Sequence, residues 1–225
     1  MSIESNLNEI RQNIPAECTL IAVSKTQSVG RIREAYDSGQ RVFGENRAQE
    51  MQSKFEQLPK DIAWHMIGHL QTNKVKYIAP FVALIHSIDS IRLLEEVDRQ
   101  AARFQRTIPC LLQVHIAEEE TKFGFSPEEI FELISSSFWQ QPHHVTINGL
   151  MGMATFTDDH DQVRKEFKSL KALFDKLKSS TLPSAVKMET LSMGMSGDYR
   201  IAIEEGSTMV RVGTAIFGER NLRPA

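Results

Sequence analysis

Lys25 is the residue of this 225-residue sequence whose type and position best suit covalent chemistry. It comes directly after the apolar run 20–24, and a lysine held among apolar neighbours loses hydration, which favours its neutral, nucleophilic form. A neutral amine condenses with an aldehyde or ketone to form a Schiff base. The alternative is an ordinary solvated lysine at the end of a strand, so further residues have to support the chemical interpretation.

Two other segments suit the binding of an anion such as phosphate. Residues 192–197 read Ser-Met-Gly-Met-Ser-Gly, which predicts a loop of small residues, and Gly213-Thr214 follows the last apolar run of the chain. Small residues let backbone N–H groups approach an anion closely, and hydroxyls add further donors. Arg211 precedes Gly213 by two positions and only donates hydrogen bonds. It suits either a ligand or a carboxylate across the wall of the fold.

The elements that would position these residues are short apolar runs alternating with longer amphipathic stretches. This alternation predicts βα units and a parallel sheet, with each gap long enough for a crossover helix. The predicted strands are 20–24, 41–44, 63–67, 83–87, 108–115, 145–151, 188–192 and 209–212. Starts of helices are also marked: Ser126-Pro127 predicts a capped helix, and a leading helix is expected at about 3–12.

Eight strands, each leading toward a helix, predict a (β/α)8 barrel, whose active site lies at the carboxyl ends of the strands. Lys25, the two small-residue segments and Arg211 would all lie there. Loops after strands seven and eight are the usual phosphate site of such barrels. A doubly wound open sheet is the alternative, but its glycine-rich first turn is missing because no GxG occurs among the twelve glycines.

Composition narrows the function classes. The net charge is -3, without a basic patch, so nucleic acid is not an expected partner. The sequence shows no apolar stretch long enough to span a membrane and no signal peptide, and its two cysteines form no CxxC pair, so we expect reduced thiols, no metal site and a cytoplasmic protein.

The sequence resembles the pyridoxal phosphate homeostasis protein family across nearly its whole length. The resemblance rests on ordered segments at compatible spacing. They are residues 20–25 (Leu-Ile-Ala-Val-Ser-Lys), 43–46 with 49–50, 64–74, 86–89, 121–125, 149–153, 191–196 with 198, and 210–218. It implies a (β/α)8 TIM barrel like the N-terminal domain of alanine racemase (pyridoxal phosphate fold type III), preceded by an extra helix, as a single domain over residues 1–225.

The resemblance also implies a cofactor and its contacts. Pyridoxal 5'-phosphate would be held as a Schiff base on Lys25, and Arg211 would face the pyridine nitrogen. An arginine cannot supply the carboxylate that keeps this nitrogen protonated, so the ring would be a weaker electron sink. Lys122 resembles a second reactive lysine of the family. The remaining implied contacts line the cofactor (Asn46, Met151) or surround its phosphate (Ser192, Met193, Ser196, Gly213, Thr214).

Three functions remain open at this stage. The first is a carrier without catalytic turnover, which binds pyridoxal phosphate reversibly and buffers it or delivers it to apoenzymes. The second is a pyridoxal phosphate enzyme acting on amino acids, such as a weak racemase or decarboxylase, and the third is a Schiff-base aldolase without cofactor. Racemases of this fold carry a second domain and a catalytic tyrosine, whereas this sequence ends at Ala225. We therefore expect a carrier, as a monomer or weak homodimer.

Overall fold

The computed structural model describes residues 2–117 and 123–218. Eight parallel strands pair in sequence order and close into a barrel. Closure comes from the pairing of the first strand with the last, from Thr19 opposite Met209 to Ala22 opposite Val212. The strands are β1 (Thr19–Val23), β2 (Val42–Glu45), β3 (Ala63–Met66), β4 (Leu84–Ile88), β5 (Ile108–Val114), β6 (Val145–Gly152), β7 (Val186–Met195) and β8 (Met209–Val212). The predicted barrel is confirmed.

Helices follow the strands on the outside of the barrel. In the described part of the chain they are α1 (Ile3–Gln12), α2 (Val29–Asp37), α3 (Ala48–Gln57), α4 (Val75–Ile78), α5 (Ile91–Arg103), α6 (Pro127–Ser135), α7 (His160–Lys178), α8 (Tyr199–Glu204) and α9 (Thr214–Phe217). The predicted leading helix is α1. Ser126 and Glu129 form a capping box with Pro127 in the first turn of α6, as the sequence predicts.

The seventh strand is longer than the sequence predicts. It runs to Met195, so the segment predicted as a loop from Ser192 is a strand for four residues, and the turn begins at Ser196. The pairing of β7 with β8 shifts register between Ser192 and Met195, and Gly194 has a φ of 93°, a left-handed value that glycine adopts without strain. This irregularity lets the strand continue through the small residues.

The buried residues form two separate apolar clusters, one outside the sheet and one inside it. A large apolar cluster fills the space between the sheet and the helices, with Phe43, Trp64 and Phe167 among its fully buried members. Inside the sheet, Leu84 and Leu111 pack with Met151 in a much smaller cluster. The strands also bury His65, His86, Ser192 and Arg211, which are hydrogen-bonded to one another, whereas branched apolar side chains usually fill such a barrel. This polar group marks the interior for function.

The structure bears on two expectations from the sequence, namely reduced cysteines and the absence of a membrane-spanning segment. Cys18 and Cys110 are free and buried, and burial raises the pKa of the Cys18 thiol to about 11, which makes it a poor nucleophile. Across residues 2–117 and 123–218, the structure contains no helix long and apolar enough to cross a membrane.

A candidate binding site at the mouth of the barrel

A cavity of about 510 Å³ opens at the carboxyl ends of the strands. Its volume falls within the range of small-molecule sites, roughly 300–1,000 Å³. Six predicted site residues line it, and they are Lys25, Asn46, Ser196, Arg211, Gly213 and Thr214. The segment between β6 and α7, residues 153–158, also lines it. The structure thus brings together residues that lie as far apart in the sequence as the first strand and the last.

Lys25 lies two residues beyond the end of β1 and is half-buried at the cavity wall. The pairing of β1 with β2 extends to Ser24, the residue before Lys25, because the Ser24 N–H donates to the Gly44 carbonyl at 3.0 Å. Thr26, the residue after it, has a φ of 65°, a left-handed value that β-branched residues rarely adopt. The backbone therefore turns sharply at Lys25, and the amine is presented to the cavity from a fixed strand end.

The turns after β7 and β8 form one end of the cavity. The Gly213 N–H donates to the Ser196 hydroxyl at 3.1 Å, which joins the two turns. A Cβ at Gly213 would lie 3.2 Å from the Val23 Cβ, so a glycine lets the end of β8 approach β1. The Thr214 hydroxyl and backbone N–H groups lie in the same region. This grouping of small residues and donors suits an anion.

Arg211 projects into the barrel from β8 and is 3 % exposed. Its guanidinium donates to the Ser192 hydroxyl at 2.6 Å and to the Gly152 carbonyl at 3.0 Å. Burial lowers its pKa to about 10, an effect that the Asp198 carboxylate partly opposes, so Arg211 stays charged at neutral pH. Its hydrogen bonds go to neutral groups. The alternative of a salt bridge across the barrel wall is not seen among the described residues.

A chain of hydrogen bonds continues from Arg211 across the barrel interior. The Ser192 Oγ lies 3.0 Å from His86 Nδ1, and His86 Nε2 lies 3.0 Å from His65 Nδ1. Arg211 uses one of the two acceptor sites of the Ser192 hydroxyl, which keeps a second acceptor site and its own proton for His86. A neutral His86 carries one ring proton, so it donates to one neighbour and accepts from the other. The tautomer of His86 therefore sets the direction of both of its bonds in this chain.

Burial keeps both histidines of this chain neutral. His65 is 6 % exposed, and burial lowers its pKa to about 4. His86 is fully buried, and burial, together with the neighbouring His65 and Arg211, lowers its pKa well below the usual 6.5. Neither histidine was assigned a role from the sequence. Both lie at inward-facing positions of adjacent strands, β3 and β4, a placement that sequence alone had not assigned.

Three predicted contact residues do not line the cavity. Met151 is fully buried in the small cluster inside the sheet, and Ser192 lies behind Arg211 in the hydrogen-bonded chain. Met193 packs in the large outer cluster, because neighbouring strand residues point to opposite faces of the sheet. Their contact with a cofactor stays a prediction, and for Met193 it would have to come from the backbone. Lys122 lies outside the described residues.

Comparison with known proteins defines the class of this fold. The model of the family "Alanine racemase, N-terminal domain" matches residues 1–221. Alanine racemase from Bartonella henselae superposes with a TM-score of 0.69 at 16 % identity, covering 97 % of this chain and 60 % of that chain. At this identity the likeness shows the fold alone. The chain is a barrel of the alanine racemase N-terminal type, as expected.

Relatives of much higher identity give the particular family. The pyridoxal phosphate homeostasis protein of Aquifex aeolicus is 42 % identical over 202 residues, covering 89 % of this chain and 86 % of the relative. That of Pasteurella multocida is 38 % identical over 234 residues, 98 % of this chain and 99 % of the relative. PipY of Synechococcus elongatus, solved with PLP bound, superposes with a TM-score of 0.86 at 36 % identity, covering 96 % of this chain and all of PipY. This chain belongs to the pyridoxal phosphate homeostasis protein family.

Proposed function

We propose that this chain binds pyridoxal 5'-phosphate reversibly at the barrel mouth, holds it as a Schiff base on Lys25, and buffers or delivers it. The observation that carries this proposal is the cavity, which places an amine, a guanidinium and a cluster of small-residue donors around one space. The solved structure of PipY with PLP bound supports it by similarity. Bond formation joins the Lys25 nitrogen to the aldehyde carbon and releases one water, and hydrolysis reverses it.

The residues present fit the chemical parts of this cofactor. Ser196 and Thr214 offer hydroxyls, and Gly197 and Thr214 offer backbone N–H groups, all suited to a phosphate. Asn46 lies on the same wall as Lys25 and suits the ring. When bound, the cofactor supplies a reactive aldehyde on an electron-withdrawing ring. Lys25 holds the aldehyde, while the enclosing walls keep it from other amines.

Arg211 supports a carrier over an enzyme. The resemblance places Arg211 opposite the pyridine nitrogen, where its buried, charged guanidinium would disfavour protonation of that nitrogen, because two like charges would meet in a low-dielectric interior. Unprotonated, the ring withdraws electrons less strongly, and carbanion chemistry is disfavoured. We therefore propose that the chain holds the cofactor without turnover.

A second candidate is a pyridoxal phosphate enzyme acting on amino acids, a weak racemase or decarboxylase. The specific observation in its favour is that Asp158, His160 and Asp198 also line the cavity and could exchange protons. Steady turnover of an amino acid by clean protein, lost in His160→Ala or Asp158→Asn, would establish this candidate and overturn the carrier proposal.

The test of the proposed function is cofactor uptake followed by borohydride reduction and mass mapping of the modified lysine. We expect a pyridoxyl group on Lys25, and none in Lys25→Ala. Lys76→Ala is the matched control, since Lys76 is exposed on α4, away from the cavity, and should leave uptake unchanged. A colourless wild-type protein that takes up no cofactor would refute the proposal and favour a cofactor-free aldolase.

Delivery to apoenzymes, a monomer or weak homodimer, and a cytoplasmic setting complete the proposal. Delivery can be tested with a pyridoxal phosphate-dependent apoenzyme, in the presence of a scavenging amine that keeps free cofactor below micromolar concentration. Loaded protein should reactivate the apoenzyme faster than the same amount of free cofactor does. Equal rates would mean that the chain only buffers. Sedimentation across protein concentrations distinguishes monomer from dimer.

A further inference from the structure

A second lysine, Lys54 of α3, lies buried next to the main chain of Lys25. Its side chain is 7 % exposed. The ammonium lies 2.7 Å from each of three oxygens, namely the Ser24 carbonyl, Glu45 Oε1 and Glu50 Oε1. An ammonium has three protons to donate, so these three bonds use all of them. Nothing in the proposed chemistry at Lys25 accounts for this cluster.

The cluster holds the chain on both sides of Lys25. Before it, the Ser24 carbonyl accepts from Lys54, and the Ser24 hydroxyl donates to Glu45 Oε1 at 2.6 Å. After it, the Thr26 N–H donates to Glu50 Oε1 at 2.6 Å. Thr26 is the residue with the left-handed φ, so its uncommon backbone conformation coincides with a bond to this cluster. Lys25 therefore extends from a backbone that is fixed at both neighbouring residues.

The charge of Lys54 is matched within the cluster. Burial raises the pKa of the Glu45 carboxyl, although Lys54 and Ser24 oppose the rise. Burial also acts to raise the pKa of Glu50, but the hydrogen bonds from Lys54 and Thr26 outweigh it, and the pKa lies below its usual value. Glu50 is therefore ionised and neutralises Lys54. The cluster adds little net positive charge near Lys25, so its influence on that amine is geometric.

We propose that Lys54 and Glu50 are positioning residues that aim the Lys25 amine into the cavity by fixing Ser24 and Thr26. The inference rests on the proposed function, since it assigns the cluster a part in cofactor capture. It differs from the alternative in which Lys54 activates Lys25 by electrostatic repulsion. A buried lysine activating its neighbour needs an unmatched charge, which Glu50 removes.

Glu50 is the member to change, because its side chain is 23 % exposed and its loss leaves no new carboxylate buried. Glu50→Ala removes the acceptor for the Thr26 N–H, whereas Glu50→Gln keeps an amide oxygen in its place and removes only the charge. Glu56→Ala is the matched control, since Glu56 is an exposed glutamate on the same helix. Unfolding curves check that each of the three variants folds.

The first measurement uses protein without cofactor. Removing its acceptor should speed hydrogen exchange of the Thr26 amide by about tenfold or more in Glu50→Ala, with wild-type exchange in Glu56→Ala and less than about threefold change in Glu50→Gln. Equal Thr26 exchange in Glu50→Ala and Glu56→Ala would overturn the inference, whatever the cofactor does.

The second measurement is the concentration of pyridoxal phosphate needed to label half of Lys25, fixed with borohydride. Loss of a defined approach should raise this concentration about 10- to 100-fold in Glu50→Ala. Glu50→Gln should stay close to wild type, and an equal loss in both would overturn positioning in favour of charge. A double variant, Glu45→Gln with Lys54→Met, removes both buried charges together with the bond from Lys54 to Ser24. It should need as much more pyridoxal phosphate for half-labelling of Lys25 as Glu50→Ala does, and an unchanged requirement would also overturn the inference. A wild-type protein that is never labelled at Lys25 contradicts the proposed function instead, while Thr26 exchange still decides the inference.

Discussion

Lowering the pH from 7 to 5 should lower the free energy of unfolding, because two histidines are buried inside the barrel. His65 and His86 are buried, and burial lowers the pKa of both. An unfolded chain takes up protons on these rings as the pH falls through their usual value of 6.5, while the folded chain keeps His65 neutral down to about pH 4. The stability they contribute is therefore complete above pH 6.5 and decreases as the pH falls below it.

The size of the effect follows from the pKa of His65. With a pKa of 6.5 unfolded and about 4 folded, this residue alone lowers the free energy of unfolding by about 2 kcal/mol between pH 7 and pH 5. His86 acts in the same direction. Two kcal/mol is a large part of the 5–15 kcal/mol that is typical, in order of magnitude, of a folded domain.

The assay compares urea unfolding of wild type and His65→Asn at the two pH values. Asparagine places an amide near the position of Nδ1, where it can accept from His86 or donate to it, but it does not titrate. The wild-type protein should lose about 2 kcal/mol more than the variant on acidification. Glu45, Asp198 and the other carboxyls titrate in both proteins and cancel in this difference. An identical pH dependence in the two would refute the assignment of His65 as a buried, neutral ring.

Three further predictions test other parts of the structure. Ser192→Ala leaves the Arg211 guanidinium and the His86 imidazole each without one partner, and urea unfolding should show a loss of about 3 kcal/mol in the free energy of unfolding. The control Ser87→Ala breaks one bond to a carbonyl and should lose about 1 kcal/mol, so equal losses would contradict the hydrogen-bonded chain through Ser192. Gly149→Ala places a Cβ 1.8 Å from the Thr190 carbonyl oxygen, at a residue whose φ is 150°, and should lower the free energy of unfolding by about 3 kcal/mol or more. A variant as stable as wild type would contradict the close pairing of β6 with β7. Arg211→Gln should shift the absorbance spectrum of loaded protein while cofactor is retained through the turns after β7 and β8, and an unchanged spectrum would refute the proposed effect of Arg211 on the ring.

Much of the candidate site could be predicted because a barrel converts local position into spatial position. Each apolar run predicts a strand from its own residues, and parallel strands bring their carboxyl ends to one mouth. Lys25 and Gly213 end runs at opposite ends of the sequence, yet β1 pairs with β8, so both line one cavity. The alternation of apolar and amphipathic segments carried enough information for this step.

The orientation of side chains within the strands was a different matter. Ser192 and Met193 are adjacent and both were predicted to touch phosphate, but one faces the interior and the other faces the helices. Neighbouring residues of a strand point to opposite faces of the sheet, but the sequence predicts a loop from Ser192, where β7 in fact continues to Met195. The pairing of β7 with β8 shifts register over this stretch. That pairing depends on both strands, so neither strand's sequence alone shows how far β7 extends.

By itself, then, the sequence determined the barrel, its leading helix and the amine at the mouth, because each depends on periodicity or on position along one segment. Only the tertiary structure decided which groups meet in the interior. His86 contacts Ser192 across 106 positions, and Lys54 contacts Ser24 across 30. These bonds form because burial removes water from polar groups, which favours pairing them with whichever partner the closed sheet places nearby.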